Sequence, residues 1–228
     1  MAKSTCYMCD EKVTSREHVP PKCIFPEKKD LPQNFNFRKN LFSVPSCDIH
    51  NSHKSRDDEY LMFLLSTHLV GNAHKARHFA SKVKRAIERK PHVFKEFMKE
   101  QSPIKLVNEK TGEVKESIAY VVDEDRFNNI ITHLAHGIYF YHKKEKWSGE
   151  INIFTPMLAA YDGEDRIERN ASIQKQGDEL KEVFSNVNRH GENPEIFQFS
   201  MASGPESQHV IYLEFYGEFT ISIFMGSF

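Results

Sequence analysis

Two pairs of potential metal ligands constrain the fold of this 228-residue chain more than any other feature of its sequence. The first pair is Cys6 and Cys9, and the second is Cys47 and His50. Each pair has two intervening residues, a spacing that lets one tight turn place both side chains on a single ion. Three thiolates and one imidazole suit tetrahedral structural zinc. The spacing therefore predicts a Zn²⁺ site that helps to fold the N-terminal part, with two surface turns carrying free thiols as the alternative.

Short motifs lie between the two pairs and directly after them. An acid-histidine-hydrophobe-proline step is formed by Glu17-His18-Val19-Pro20, an Asn-Leu step by Asn40-Leu41, and Asn51 follows the second pair, with Lys54 shortly after it. In this order and spacing, the motifs and the ligand pairs resemble the zinc-bound form of the HNH endonuclease family. The resemblance covers about residues 4–60. It implies a ββα-metal fold, in which a two-stranded hairpin is followed by a helix.

The resemblance also implies roles for individual residues. His18 would be the general base that activates water, because a histidine with a pKa near 6.5 accepts a proton around neutral pH. Glu17 and Asn51 would hold a catalytic divalent cation, Mg²⁺ or Mn²⁺, since their oxygens are hard ligands that leave positions open for phosphate. Asn40 would brace the connecting loop and orient His18, and Lys54 would contact phosphate. The zinc, with four protein ligands, has no open position for catalysis.

The sequence departs from the family pattern at two positions. The second ligand pair ends in His50, where many zinc-bound members have cysteine. The final histidine of the motif is absent, since Asn51 takes that metal-ligand position and the nearby His53, two residues along a helix, faces roughly the opposite side. Three alternatives stay open: a non-catalytic zinc module that binds nucleic acid or protein, an RNA-directed nuclease with the same site, and a structural protein that binds through its C-terminal domain and has a degenerate HNH-like part. The absent motif-final histidine favours the third.

Beyond residue 60 the hydrophobic pattern changes along the chain. Helical periodicity predicts three helices. The first has Asp57, Asp58 and Glu59 in its first turn and ends before Gly71. The second runs from about Ala73 to Lys90, and a short third one begins at Pro91. The second of these has a predicted apolar face of Ala76, Phe79, Ala80, Val83 and Ile87. After Pro103 the pattern predicts a β-hairpin around Gly112 and a buried helix from Asp125 to about His142. It also predicts four strands: Glu150–Met157, Ile196–Met201, His209–Tyr216 and Glu218–Phe224.

These patterns predict an α+β fold in three parts. Residues 1–60 form a zinc-stapled HNH-like module, residues 61–101 a basic helical extension, and residues 102–228 a C-terminal α+β domain with antiparallel strands. The C-terminal strands are apolar and aromatic, and they would form either a core or a dimer surface. His133, His136 and His142 are expected to be packing or surface histidines, because no carboxylate or cysteine partner is placed near them.

Charge is unevenly distributed along a chain whose net charge is only −1. Residues 1–101 carry 19 Lys and Arg against 12 Asp and Glu, whereas residues 102–228 carry 12 against 20. The basic half is therefore the expected place for contacts with phosphate. Four cations fall near one side of the second predicted helix: Lys75, Lys82, Arg85 and Arg89. The alternative is the solvated face of an ordinary amphipathic helix.

Composition and cysteine usage indicate the cellular context. Hydrophobic residues make up 39% and charged residues 28%, a balance typical of soluble globular chains. No apolar run reaches the roughly 18 residues that span a bilayer, and residues 1–12 lack the apolar core of a signal peptide. Cys23 stands outside the ligand pairs and is expected to be a small buried thiol. The sequence therefore predicts a cytoplasmic protein with no membrane partner.

The function predicted from the sequence is metal-dependent endonuclease activity on DNA, with RNA as an alternative substrate. Its cofactors would be structural Zn²⁺ and catalytic Mg²⁺ or Mn²⁺. The acidic C-terminal domain would regulate, sense or dimerise, and a homodimer would suit cleavage of both strands. HNH modules with an appended domain resemble effectors of restriction and phage defence.

Overall fold

The computed structural model describes residues 5–51, 54–69, 71–108, 111–160, 163–205 and 207–226. Helices and antiparallel strands share these residues, which confirms the predicted α+β class. His53 and the predicted turn residues 109 and 110 lie outside this description. Within the described ranges, no helix is both long enough and apolar enough to cross a bilayer.

The first unit of the fold is a β-hairpin followed by a helix. Strands β1 (Ser15–His18) and β2 (Ser43–Ser46) pair antiparallel along their full length. Their long connection holds two short 3₁₀ turns, at Lys22–Ile24 and Lys28–Asp30. Helix α1 (Asp48–Asn51) begins just after β2. The order strand, strand, helix is the order that the resemblance implies.

Helix α2 (Ser55–Thr67) runs through the interior. Residues 60–66 are all buried, so the second half of this helix is covered on every side, whereas Ser55 and Arg56 at its start are exposed. Three helices follow: α3 (Ala73–His78), α4 (Lys84–Arg89) and α5 (Pro91–Phe97). Asn72 caps α3, because its side-chain oxygen accepts hydrogen bonds from two backbone N–H groups of the first turn, at 3.0 and 3.2 Å.

A π turn at Phe79–Val83 interrupts the long helix predicted for this region. The extra residue in this wider turn rotates the preceding helix by one position relative to the following one. Lys75 and His78 in α3 are buried, whereas the pattern placed Ala76, Phe79 and Ala80 toward the core and all three are exposed. The predicted apolar face is therefore wrong for α3 and for the start of the π turn.

An exposed hairpin and a long helix lead into the C-terminal part. Strands β3 (Gln101–Val107) and β4 (Val114–Tyr120) pair antiparallel and are exposed along most of their length. Helix α6 (Glu124–Lys143) begins after Asp123, whose carboxylate accepts a hydrogen bond from the backbone N–H of Arg126 at 3.0 Å. The apolar side of α6 is buried, as the periodicity predicts.

Five strands from residue 151 onward form one antiparallel sheet: β5 (Ile151–Phe154), β6 (Arg189–Asn193), β7 (Phe197–Ser203), β8 (His209–Phe215) and β9 (Phe219–Met225). Their order in space is β5–β9–β8–β7–β6. Helix α7 (Arg166–Ser185) lies against one face of the sheet. There the ring of Phe184 stacks on Tyr212 of β8, with 5.0 Å between the ring centroids.

One hydrophobic core joins the hairpin-helix unit to this sheet. It includes buried side chains from β2, α2, α6 and β8, such as Val44, Leu61, Ile131 and Ile211. In the tight turn between β8 and β9, Tyr216 donates a hydrogen bond from its hydroxyl to the backbone C=O of Ile24 at 2.6 Å. The division at residues 60 and 101 stays a prediction, and the three predicted parts share this core.

Candidate functional site

The four predicted zinc ligands come together beside the hairpin. The ligand atoms of Cys6, Cys9, Cys47 and His50 all lie within 4.8 Å of one another. The sulfurs of Cys9 and Cys47 are 3.7 Å apart, and Nδ1 of His50 lies 3.3 to 3.5 Å from the three sulfurs. A tetrahedral zinc, with Zn–S of about 2.3 Å and Zn–N of about 2.0 Å, separates such atoms by roughly 3.5 to 3.8 Å. The group is therefore able to bind a metal such as zinc.

Backbone hydrogen bonds hold the two ligand turns side by side. The N–H of Tyr7, in the first turn, donates to the C=O of Pro45 in β2 at 2.9 Å. The N–H of Cys6 donates to the C=O of Glu11 at 3.0 Å, which closes that turn. Cys47 follows β2 directly. The turn with Cys6 and Cys9 is thus attached to the edge of β2, and the second ligand pair begins where β2 ends. Both pairs therefore reach the same position.

The surroundings of Cys6 favour the thiolate form. Burial raises the pKa of this thiol, but hydrogen bonds from the backbone at Met8, Cys47 and Cys9 outweigh burial and bring the pKa below its ordinary value. The thiolate is the form that binds metal ions. All four cysteines of the chain are free of disulfide bonds.

Helix α6 packs against this ligand group. The ring of His133 lies 5.9 Å from the ring of His50, centroid to centroid. Burial, together with the nearby Lys54 and His50, lowers the pKa of His133 to about 4, so its ring is neutral at physiological pH. Beyond the helix, Lys146 donates from its ammonium to the backbone C=O of Cys9 at 2.6 Å. No local pattern predicts these contacts, because each joins residues that are far apart in the chain.

Glu17, a predicted ligand of the catalytic cation, faces the interior and is 5% exposed. Its Oε2 accepts a hydrogen bond from the hydroxyl of Tyr7 at 3.1 Å. Its Oε1 forms an ion pair with the ammonium of Lys54, which is 4% exposed. Both carboxylate oxygens are therefore engaged. Lys54, the predicted phosphate contact, has its ammonium in the interior.

His18 follows Glu17 in β1, so its side chain points to the opposite face of the hairpin. The ring is half-buried. Partial burial, with Lys22 and Arg16 nearby, lowers the pKa of His18 below the ordinary 6.5. A neutral ring at physiological pH is able to accept a proton, and the neighbouring cations suit an anionic substrate.

The two predicted asparagines occupy different surroundings. Asn51 ends α1, and its Nδ2 donates a hydrogen bond to Oγ of Ser15 at 2.7 Å. Because Ser15 and Glu17 are two residues apart in β1, Asn51 lies on the same face of the hairpin as Glu17. Asn40 has a left-handed backbone conformation, with φ of 57°. Its Nδ2 is 3.5 Å from Oε2 of Glu192 in β6.

Two of the cations predicted to contact phosphate point inward. Lys75 is 8% exposed and donates from its ammonium to the backbone C=O of His68. Lys82 is half-buried and donates to the backbone C=O of Cys23 at 3.2 Å. Burial lowers the pKa of both ammonium groups. Lys75 and Lys82 therefore stabilise backbone carbonyls in this structure.

The other two predicted cations lie on α4 and are more accessible. Arg85 is held in ion pairs with Asp30 at 2.7 Å and with Glu27 at 3.0 Å. Arg89 is exposed. The π turn separates these residues from Lys75, so the structure does not bring the four cations to one open face.

Comparison with known proteins identifies no relative: no family model matches the chain, and neither a curated protein nor a solved structure matches it. What the geometry shows by itself is a Cys₃His group that is able to bind a metal, in an α+β fold that begins with a hairpin and a helix.

Proposed function

We propose that this protein is a metal-dependent endonuclease of the HNH type, which hydrolyses phosphodiester bonds in DNA. The observation that carries the proposal is the position of His18. It ends the first strand of a hairpin-helix unit whose Cys₃His group lies beside it, and its ring is half-buried among cations. A role as an effector in restriction or phage defence follows from the resemblance and belongs to the same proposal.

In this proposal His18 is the general base. Its lowered pKa keeps the ring neutral at pH 7, so it can take a proton from the water that attacks phosphorus. Arg16 is exposed and fixed by hydrogen bonds from its guanidinium to Oγ and the backbone C=O of Ser43, at 2.9 and 2.6 Å. Together with Lys22 it would attract the phosphate to this face. Asn40 would brace the loop between the strands.

The Cys₃His group would hold structural zinc, since its distances and donor types fit that ion. Glu17 and Asn51 lie on the face of the hairpin opposite His18, so this structure does not bring the predicted cation ligands to the phosphate that His18 would serve. In the proposal these side chains would rearrange to hold Mg²⁺ or Mn²⁺, which would stabilise negative charge on the phosphate and the leaving oxygen. In this structure the Glu17 carboxylate is already engaged by Lys54 and Tyr7. A divalent cation at Glu17 therefore requires that Lys54 leave that ion pair.

The same ion pair favours a second candidate function, a zinc module that binds nucleic acid without cutting it. The buried ammonium of Lys54 already balances the charge of the Glu17 carboxylate, so the hairpin and helix need no divalent cation to compensate that charge. The two candidates differ in one measurable property, which is hydrolysis that depends on Mg²⁺ or Mn²⁺ and on His18.

The deciding experiment is cleavage of plasmid DNA by the purified, zinc-loaded protein, with and without added Mg²⁺ or Mn²⁺. Wild type is compared with His18→Ala and with His92→Ala, an exposed histidine on α5 that serves as the control. We expect cleavage by wild type and His92→Ala that needs the added cation, and a loss of at least about 100-fold in His18→Ala at unchanged zinc content.

Binding of DNA without cleavage by any of the three proteins would contradict the nuclease and support the binding module. Cleavage of a matched RNA, but not of DNA, would leave His18 as the proposed base and show that the substrate is RNA. Cleavage that persists in His18→Ala would remove His18 from the mechanism.

A further inference from the structure

A cleft of about 330 Å³ lies between the hairpin-helix unit and the C-terminal sheet. Its wall begins at Val19, the residue directly after His18, and continues through the loop before β2. Helix α6 and strands β6 and β7 supply the remaining walls. The cleft thus borders the backbone that directly follows the proposed catalytic histidine, and the C-terminal part forms half of it.

Flat rings line much of this cleft. Phe42 and Tyr141 stack with their ring centroids 4.3 Å apart. His190 stacks on Phe199 at 5.4 Å, and His142 meets His190 edge-on at 4.7 Å. Tyr141 and His190 are exposed. Rings of this kind offer stacking surfaces to a planar ligand.

Polar groups stand among these rings. Nε2 of His142 is buried and has no hydrogen-bond partner within the part of the chain that the structure describes. The carboxylate of Glu192 and the amide of Asn40 meet at 3.5 Å at the edge of the cleft. Gly191 has φ of 129° and lies in a β-bulge between His190 and Asn193. Such bulges redirect neighbouring side chains, here His190 and Glu192.

The charge of the cleft decides which ligand it suits. Among the described residues that line it, none is lysine or arginine, and Glu192 supplies the only carboxylate. A phosphate group would meet a negative charge without a matching cation. A neutral planar group that stacks on the rings and donates a hydrogen bond to Glu192 meets no such cost. A nucleobase has these properties, whereas the sugar-phosphate backbone does not.

We infer that this cleft receives an unpaired nucleobase of the DNA strand that passes His18, with a preference for bases that carry an exocyclic amino group. The inference rests on the proposed function in one respect, which is that DNA is the ligand. Stacking against the aromatic walls supplies affinity. Glu192 accepts a hydrogen bond from the amino group, as carboxylates do with cytosine N4. The C-terminal part thereby contributes base contacts beside those of Phe42 in the connection between β1 and β2.

The test is binding of a labelled single-stranded 12-mer by full-length protein carrying His18→Ala, with no added Mg²⁺ or Mn²⁺. A second strand has abasic sites at its four central positions. We expect the abasic strand to bind about 5- to 100-fold more weakly, since stacking contributes about 1–3 kcal/mol per base. Adding Tyr141→Ala should weaken binding of the complete strand by a similar factor and leave the abasic strand unchanged. Phe35→Ala, an exposed aromatic outside the cleft, is the matched control and should change neither.

Base preference is measured with oligo-dC and oligo-dT of equal length. We expect tighter binding of oligo-dC, and Glu192→Gln should remove at least half of that preference. Equal binding of the complete and abasic strands would overturn the inference, as would an equal effect of Tyr141→Ala on both or no measurable binding at all. If the wild-type protein leaves plasmid DNA uncut but binds the complete strand more tightly than the abasic strand, the result would contradict the nuclease and support the base-binding cleft. If it cleaves plasmid DNA but binds both strands equally, the result would contradict the base-binding cleft alone.

Discussion

The ammonium of Lys54 forms an ion pair with Oε1 of Glu17 in the interior, where the two residues are 4% and 5% exposed. Lys54 directly precedes α2, and Glu17 lies in β1. Tyr7, in the first ligand turn, donates to the other oxygen of Glu17. One carboxylate thus joins the strand, the helix and the metal-ligand turn.

Removing one partner of this ion pair leaves an uncompensated charge in the interior. We expect Lys54→Met to lower the free energy of unfolding by about 3–5 kcal/mol. The double variant Glu17→Gln/Lys54→Met removes both charges and should recover at least half of this loss. Urea denaturation of the zinc-loaded proteins measures both values. A Lys54→Met variant within about 0.5 kcal/mol of wild type would show that the pair is not formed in solution.

Loss of the metal ligands should unfold the hairpin-helix unit, because a unit of this size depends on metal binding for its stability. We expect Cys6→Ser/Cys9→Ser to lose bound zinc and to melt at a lower temperature. Metal analysis of the purified protein, together with thermal unfolding followed by circular dichroism, measures both effects. Cys23→Ser, which changes the cysteine outside the ligand group, is the control and should keep its zinc. A double variant with full zinc content would contradict the assignment.

Asp58 gives the stability a distinct pH dependence. Burial raises the pKa of its carboxyl to about 6 from an ordinary 3.8, against the attraction of Lys54. Between pH 4 and 6 the native state therefore keeps a proton that the unfolded chain releases, so this group lowers stability as the pH rises through that window. We expect Asp58→Asn to gain stability relative to wild type from pH 4 to pH 6, reaching about 2–3 kcal/mol at pH 7.

Urea denaturation of wild type and Asp58→Asn at pH 4, 5, 6 and 7 measures this difference. Burial lowers the pKa of His78 to about 4, so this histidine has the opposite effect between pH 4 and 6.5. The effect of His78 is common to both proteins and cancels in the comparison. A constant difference between them at all four pH values would mean that Asp58 titrates normally in the folded state.

Salt dependence separates cations that contact DNA from those that hold the fold. Each phosphate contact contributes about one unit to the slope of log affinity against log salt concentration. We expect Arg89→Gln, at an exposed position, to reduce that slope by about one unit and leave stability unchanged. Lys75→Gln should leave the slope unchanged and lower the melting temperature, because Lys75 points inward. Fluorescence anisotropy between 50 and 300 mM NaCl measures the slope, and identical slopes for wild type and Arg89→Gln would exclude that contact.

Local patterns predicted much of the fold. The spacing within each ligand pair constrains one turn, so the sequence was sufficient to group Cys6, Cys9, Cys47 and His50. The periodicity of α6 and the alternating strands of the C-terminal sheet are local in the same sense, and the structure contains them. Their identification needed no knowledge of which elements meet in space.

The remaining features depend on contacts between distant residues. A regular helical period predicts that Phe79 faces the core, and no residue in that stretch predicts a π turn. The ion pair between Glu17 and Lys54 was not predicted either, since the motif assigned Glu17 to a catalytic cation and Lys54 to a phosphate. The aromatic cleft combines Phe42 with His190 across more than half of the chain, so no local pattern could reveal it.

The hydrogen bond from Tyr216 to Ile24 connects two segments that the ribosome makes far apart in time. All four residues of the Cys₃His group precede residue 51, so they emerge long before Tyr216. The 3₁₀ turn containing Ile24 acquires its partner only after β8 and the turn that follows it have emerged. The loop beside His18 is therefore completed only after Tyr216 has been made, so the proposed activity would arise only once the strands around that turn have begun to form.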